Sequence, residues 1–508
     1  MDKTSNNKRI AKNTMLLYVR MIVIMLVQLY TSRVILQTLG VEDYGIYNIV
    51  AAVVVSLTFI TGPLSTATQR FLSFELGRKN TERIKDIFSM SLIVYAILSV
   101  LILIIAETVG LWFLNHKMDI PADRLYAANW VFQFSVMTFI INMLNIPFNA
   151  AIIAYEKMSF YAYVSIFEAI AKLAIVYFLL LYSGDQLILY GLLVMLVTLS
   201  VTSVYKIYCN KRLRDIKIKL VRDKALLKQL LSFSGWSLFG SVASMSADQG
   251  LNLLLNLFFG VTVNAAMGIA AQVSAAVNQF VMNFQTAFRP QLVKSYAEGN
   301  IPYLHGLIYK SSKFSYLLLF MVVCPILFNL DFILHLWLGD NVPEYAAVFC
   351  RLMLIYALIE SLSGPFWMTV QATGRIKKYQ LCISTLMFSN IVLSYFFLKN
   401  GVPPETVLII KCCMAVLYFT IRIYFIKRFI DLPIKTLLLQ TIIPILIISL
   451  ITTVIIYPIA TNYPLMSTIR FVCILSVFFP IYIITTYIIA LNKQEKQTIK
   501  KFIKKLYA

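Results

Sequence analysis

The sequence is short of charge for its size. Of its 508 residues only 13% are Asp, Glu, Lys or Arg, and 60% are hydrophobic. Soluble domains carry about 25% charge and 45–50% apolar residues, so a water-soluble chain is excluded. Histidine is scarcer still: His116, His305 and His335 are the only three. They are scattered one to a loop or helix end and read as ordinary surface residues. The seven cysteines show no C-x-x-C spacing, which supports neither a disulfide framework nor a metal site. There is no G-x-x-x-x-G-K-[ST], H-E-x-x-H or G-x-S-x-G, so nucleotide hydrolysis through a P-loop, zinc proteolysis and nucleophile-elbow chemistry lack their motifs. The alternating ten-residue segments of a membrane β-barrel are missing as well. No long polar loop offers room for a catalytic domain, and no enzyme is expected.

What the chain does have is apolar runs, each long enough to cross about 30 Å of hydrocarbon as a helix. They predict spans near 14–36, 44–66, 87–114, 125–150, 158–182, 186–208, 230–258, 262–288, 306–334, 344–372, 378–398, 404–427, 433–457 and 467–491. Alternate connections are basic. The longest, 206–229, holds nine Lys and Arg, whereas 37–43, 183–185, 259–261 and 335–343 hold none. That alternation follows the positive-inside rule and predicts about fourteen spans with both termini cytoplasmic. It also accounts for the net charge of +22 without a nucleic-acid partner. The first run starts near Asn13, carries Arg20 and Arg33, and is followed by no A-x-A-like site, so a retained span is expected rather than a signal peptide.

The expected fold is an all-α polytopic membrane protein. Residues 1–209 form an N-terminal six-helix lobe, 210–229 a basic cytoplasmic linker and 230–428 a second six-helix lobe. Two additional transmembrane helices occupy 429–491, and a basic amphipathic tail fills 492–508. In that tail Ile499, Phe502, Ile503 and Leu506 fall at i, i+3, i+4 and i+7 among lysines, the pattern of an interfacial helix on membrane lipids. "LGVEDYGIYNIVAAVVVS" (39–56) and "FGVTVNAAMGIAAQVSAA" (259–276) match at an offset of 220, with Gly40 on Gly260 and Val41 on Val261. Each stretch is read as a short loop joining two spans. Six spans per unit make the units parallel repeats, with a substrate site near mid-bilayer.

Ionisable side chains inside a membrane are costly and mark pathways. Glu168 precedes Lys172 by four residues, one helical turn, so the two can pair. Asp248 is central in its span and coincides with Gln28 at the repeat offset; the two are the expected ion-coupling positions. Glu360 stands just before Gly364-Pro365, a pair expected to break or kink the helix. Arg20, Lys172, Glu168, Lys411 and Glu360 are the expected substrate-cavity residues. Arg33 lies thirteen residues from Arg20, ~220° around a helix, and cannot share its cavity. Arg33, Arg351 and Arg422 are near enough to span ends to snorkel. Cavity-facing Arg and Lys suit phosphate or pyrophosphate.

The stretch "KNTMLLYVRMIVIMLVQLYTSRVILQTLGVEDYGIYNIV" followed by "LSTATQRFLSFELGRKN" resembles the polysaccharide-transporter branch of the multidrug, oligosaccharidyl-lipid and polysaccharide exporter superfamily. "GVTVNAAMGIAAQVS" and "FRPQL" share that look. The resemblance implies a fold like that of the multidrug and toxic-compound extruders (MATE). It also implies alternating-access flipping of undecaprenyl-pyrophosphate-linked oligosaccharide repeat units across the bacterial inner membrane, for O-antigen, capsule or exopolysaccharide synthesis. No cofactor is implied, only a proton or sodium gradient. The implied partners are the lipid-linked substrate, membrane lipids, and the polysaccharide polymerase and chain-length machinery. An ion-driven multidrug exporter of the same fold is the alternative.

Overall fold

The computed structural model describes residues 3–55, 59–118, 120–213, 215–216, 218–219, 221–462, 468–492 and 495–497. The apolar positions of the expected tail helix, Ile499, Phe502, Ile503 and Leu506, lie outside these. Every regular element among the described residues is helical: α1 (Lys3–Val55), α2 (Thr61–Arg78), α3 (Thr81–Ile105), α4 (Leu111–Lys117), α5 (Leu125–Ala154), α6 (Met158–Leu179), α7 (Gln186–Arg212), α8 (Lys224–Ala297), α9 (Ile301–Phe328), α10 (Leu330–Leu338), α11 (Ala346–Thr373), α12 (Lys377–Lys399), α13 (Thr406–Ile430), α14 (Ile434–Leu437), α15 (Ile443–Asn462) and α16 (Thr468–Thr485). Among the described residues, twelve stretches are long and apolar enough to cross a membrane. The expected fourteen differ from these at two places. The 74 residues of α8 are one stretch here but are interrupted at Gly260. The expected span 44–66 runs through residues 56–58, which are not described.

The two loops expected around Gly40 and Gly260 are single-residue breaks. Gly40 adopts φ 78°, ψ 172° and Gly260 φ 76°, ψ −166°, with helix on either side. Only glycine reaches that region without a Cβ clash, so one residue replaces a turn. The repeat extends beyond these glycines. At the same offset of 220, Asn80 and Asn300 cap α3 and α9, their side chains accepting from the backbone N–H of Arg83 at 3.1 Å and of Tyr303 at 3.2 Å. The preceding residues, Lys79 and Gly299, both have positive φ. Pro147 within α5 and Pro365 within α11 fall 218 residues apart, two short of that offset.

The chain divides into unit 1, Met1–Val242 with Thr286–Gly299, and unit 2, Ala243–Gln285 with Asn300–Ala508. The expected lobe boundary at 229/230 therefore falls inside unit 1. In lipid, close approach of small residues replaces the hydrophobic drive between helices. Accordingly α5 buries Ala127, Ala128, Ala150, Ala151 and Ala154 almost completely, and a Cβ at Gly191 of α7 would stand 3.2 Å from Phe134 of α5. In unit 2, Phe478 and Tyr482 of α16 and Ile448 of α15 share a core with Leu317 and Phe320 of α9. The two additional helices thus pack on α9. Large apolar residues are exposed within the helices of unit 2, among them Leu253, Leu257, Leu446 and Leu450, a pattern that lipid accommodates and water does not.

Candidate functional site

Four helices of unit 1 each turn a polar face into a common cavity of about 410 Å³. On α6 the lining residues include Tyr161, Ser165, Glu168 and Lys172, whose i, i+4, i+7, i+11 spacing keeps them on one face roughly 60° wide. The α1 face contributes Arg20, Gln28 and Thr31, α5 contributes Asn142, Asn145 and Asn149, and α7 contributes Tyr190, Thr198 and Tyr205. Lys172 Nζ donates to Glu168 Oε1 at 2.6 Å. The Arg20 guanidinium lies 4.5 Å from the centre of the Tyr161 ring, a cation–π contact of about 0.5–2 kcal/mol. Its Nε is buried without a hydrogen-bond partner. Glu168 is the only carboxylate among the described lining residues, so the cavity holds two cations against one anion. Its other groups are amides, hydroxyls and phenols, which can donate to phosphate oxygens and bond sugar hydroxyls. Arg33 is exposed and outside the lining, as the helical angle requires.

The other expected residues sit in unit 2 as two ion pairs. Lys411 of α13 donates to Asp248 Oδ1 of α8 at 2.8 Å and stands 4.7 Å over the Tyr356 ring. Arg422 donates to Glu360 at 3.0 Å, to the Tyr379 hydroxyl at 3.0 Å and to Ser363. The expectation that Arg422 snorkels is overturned: its side chain is 7% exposed, because α11 supplies a carboxylate at the same depth. Arg351 is likewise paired, with Asp331 at 2.6 Å. The seven expected site residues therefore form two groups, Arg20, Gln28, Glu168 and Lys172 in one cavity, and Asp248, Lys411 and Glu360 in unit 2. Gln28 and Asp248, paired as equivalent positions of the repeat, lie in different units. Among the described residues no group of three or more His, Cys, Asp or Glu is placed to hold a metal ion.

The sequence did not point to a third cluster, at the α5–α6 turn. Glu156 adopts φ 59°, a region costly for a residue with a Cβ. Its side chain is 1% exposed. Gln291 donates to both of its oxygens at 2.8 Å and Lys294 donates at 2.6 Å, both from the end of α8. Gly77 of α2 sits beside them: a Cβ there would lie 2.7 Å from the Lys294 carbonyl oxygen and 2.9 Å from Ala297 Cβ. Glu156 occupies a short turn and its partners are more than 130 residues away, so only Gly77, a glycine inside a helix whose backbone does not itself require one, carried a signal in the sequence.

The basic linker docks on α3. Lys219 pairs with Asp86 at 2.7 Å and Arg83 with Asp223 at 2.8 Å. The hydrogen bond to Asp86 raises the Lys219 amine above its ordinary value. The backbone N–H of Leu226, then Arg83, hold the Asp223 carboxyl below the usual range.

Comparison with known proteins gives one family match, to MatE, over residues 17–178. The uncharacterized membrane protein EpsK of Bacillus subtilis (strain 168) is 22% identical over 366 residues, 71% of each chain. A multidrug resistance MATE family transporter of the MOP superfamily, solved in an outward-facing conformation, superposes with a TM-score of 0.72 at 15% identity, covering 84% of this chain and 96% of that one. A MOP superfamily transporter from Pyrococcus furiosus, described as having a binding pocket of reverse polarity, gives 0.72 at 15% identity, with 85% and 96% covered. The fold is MATE-like.

Proposed function

We propose that this chain is a membrane transporter that flips undecaprenyl-pyrophosphate-linked oligosaccharides from the inner to the outer leaflet of the bacterial cytoplasmic membrane by alternating access. The observation that carries the proposal is the unit 1 cavity, with Arg20 and Lys172 against the single carboxylate of Glu168. A cationic site with amide and hydroxyl walls fits a pyrophosphate attached to sugars. The MATE-like fold and the MatE match support transport rather than enzymatic catalysis. The N-terminal resemblance to polysaccharide transporters supports the lipid-linked cargo, and with it both termini in the cytoplasm and the polymerase and chain-length machinery as partners. The reverse-polarity pocket described for the Pyrococcus furiosus protein sets a precedent on this fold for a pocket of altered charge. Ion coupling, by proton or sodium, falls to Asp248 of unit 2, whose carboxylate must then exchange Lys411 for the ion.

The second reading is an ion-driven multidrug exporter, favoured by the likeness to a multidrug resistance transporter. Sealed proteoliposomes separate the two. Crossing of an undecaprenyl-pyrophosphate oligosaccharide, without movement of a cationic dye, supports the flippase, and dependence on an imposed gradient identifies the ion. Dye transport with no sugar movement makes the chain a drug exporter.

A further inference from the structure

Glu168 is out of place in a cavity that takes up an anion. It is the only carboxylate among the described lining residues, and it stands one turn from Lys172 on the same face of α6. The two side chains meet at 2.6 Å yet keep 40% (Lys172) and 32% (Glu168) of their surface exposed. Both are open to a ligand, whereas in the unit 2 pairs the cation is closed off, Lys411 at 9% and Arg422 at 7%, and only the carboxylates Asp248 and Glu360 are reached, at 54% and 26%. The pair does not clamp two elements together, since both partners belong to α6, and a half-exposed pair within one helix contributes little to stability. It does neutralise the cation that an incoming phosphate would seek. Arg20, by contrast, rests on the Tyr161 ring.

We infer that Glu168 is a placeholder carboxylate. It occupies Lys172 while the cavity is empty and yields it to the anionic group of the substrate. The same competition lowers the affinity for that group and eases its release. The groups facing this exchange are Arg20 and Gln28 on α1, Asn145 on α5, Tyr161 and Ser165 on α6, and Tyr205 on α7; none is a second acid, so the competition is between Glu168 and the ligand. This inference rests on the anionic-substrate reading above.

The test is titration of the full chain in detergent with farnesyl pyrophosphate at low salt and neutral pH, with farnesol as the uncharged control. The wild type is expected to bind the pyrophosphate and not the alcohol. Glu168→Gln is expected to bind it about tenfold more tightly, and Glu168→Asp to fall between them, whereas loss of a merely structural residue would weaken binding. Lys172→Gln should bind more weakly than wild type, and adding Glu168→Gln to it should restore little. Melting curves of each variant check that the fold is kept. Binding by wild type with no gain in Glu168→Gln overturns the placeholder role and leaves the anionic-substrate reading standing. So does an equal gain in the Lys172→Gln background, because the carboxylate would then act through overall charge rather than by occupying Lys172. Absence of pyrophosphate binding in both wild type and Glu168→Gln overturns the substrate reading and the inference together.

Discussion

At the residue scale, the charges inside the spans divide by whether their partner lies on the same helix. Arg422 joins α13 to α11 through Glu360 and Ser363 and to α12 through Tyr379. Removing one member of a buried pair leaves the other uncompensated, at about 3–5 kcal/mol. Arg422→Ala should therefore lower the melting temperature in detergent sharply, and an unchanged melt would show that the pair is not structural. Lys172→Ala breaks a half-exposed pair within α6, worth less than about 1 kcal/mol, so its melt should stay near wild type while substrate binding falls. The intramembrane charges were legible in the sequence because hydrophobic runs frame them, and the one-turn spacing gave the Glu168–Lys172 pair. Their longer connections were not legible. Asp248 and Lys411 are 163 residues apart, and which helix supplies a counter-charge at a given depth depends on packing that no periodicity records. Arg422 was misjudged for that reason.

At the element scale, two glycines break helices where the hydropathy pattern suggests loops. The repeat offset identified both positions, but a one-residue break and a short loop leave the same mark on an apolar pattern. Gly260→Ala places a Cβ at φ 76°, at a cost of about 1–3 kcal/mol. It should lower stability, whereas Gly268→Ala, in α8 with nothing within 4 Å of the added Cβ, should be neutral or slightly stabilising. Equal melts for the two variants would contradict the strain argument. The linker makes a separate prediction. Asp223 titrates below its ordinary value of about 3.9, so its contribution is complete above that pH and lost only as pH falls through the lowered value. Lys219 titrates above its ordinary value of about 10.4, so its contribution is complete below that pH and lost only as pH rises through the raised value. Docking of the linker should therefore be flat between about pH 5 and pH 9 and weakened by salt, since these are surface ion pairs. Trypsin cleavage after Arg222, divided at each pH and ionic strength by cleavage of a free peptide of the same sequence, reads this, and a pH-dependent ratio within that window would contradict it.

At the scale of the whole molecule, the all-helical membrane fold and its repeat follow from composition, charge alternation and one offset. The division into units does not follow so simply, because unit 1 takes in both ends of α8 while the middle of α8 belongs to unit 2. The two changes fall at 242/243 and 285/286, inside the apolar runs 230–258 and 262–288, and leave no mark on the hydropathy pattern. Of the groups lining the unit 1 cavity, Arg20, Gln28, Glu168 and Lys172 are legible in the sequence as polar residues inside apolar runs, whereas the α5 asparagines and α7 tyrosines are ordinary residues until four helices bring them together. The central claim is that this cavity carries an anionic lipid-linked substrate. It is tested most directly by comparing wild type and Lys172→Ala at matched protein content in proteoliposomes that present an undecaprenyl-pyrophosphate oligosaccharide. Wild type should flip the lipid, and Lys172→Ala should do so at least about tenfold more slowly, the loss of a charge-assisted contact of roughly 1.5–3 kcal/mol. Flipping by Lys172→Ala at the wild-type rate would contradict the claim and remove the unit 1 cavity from the transport path.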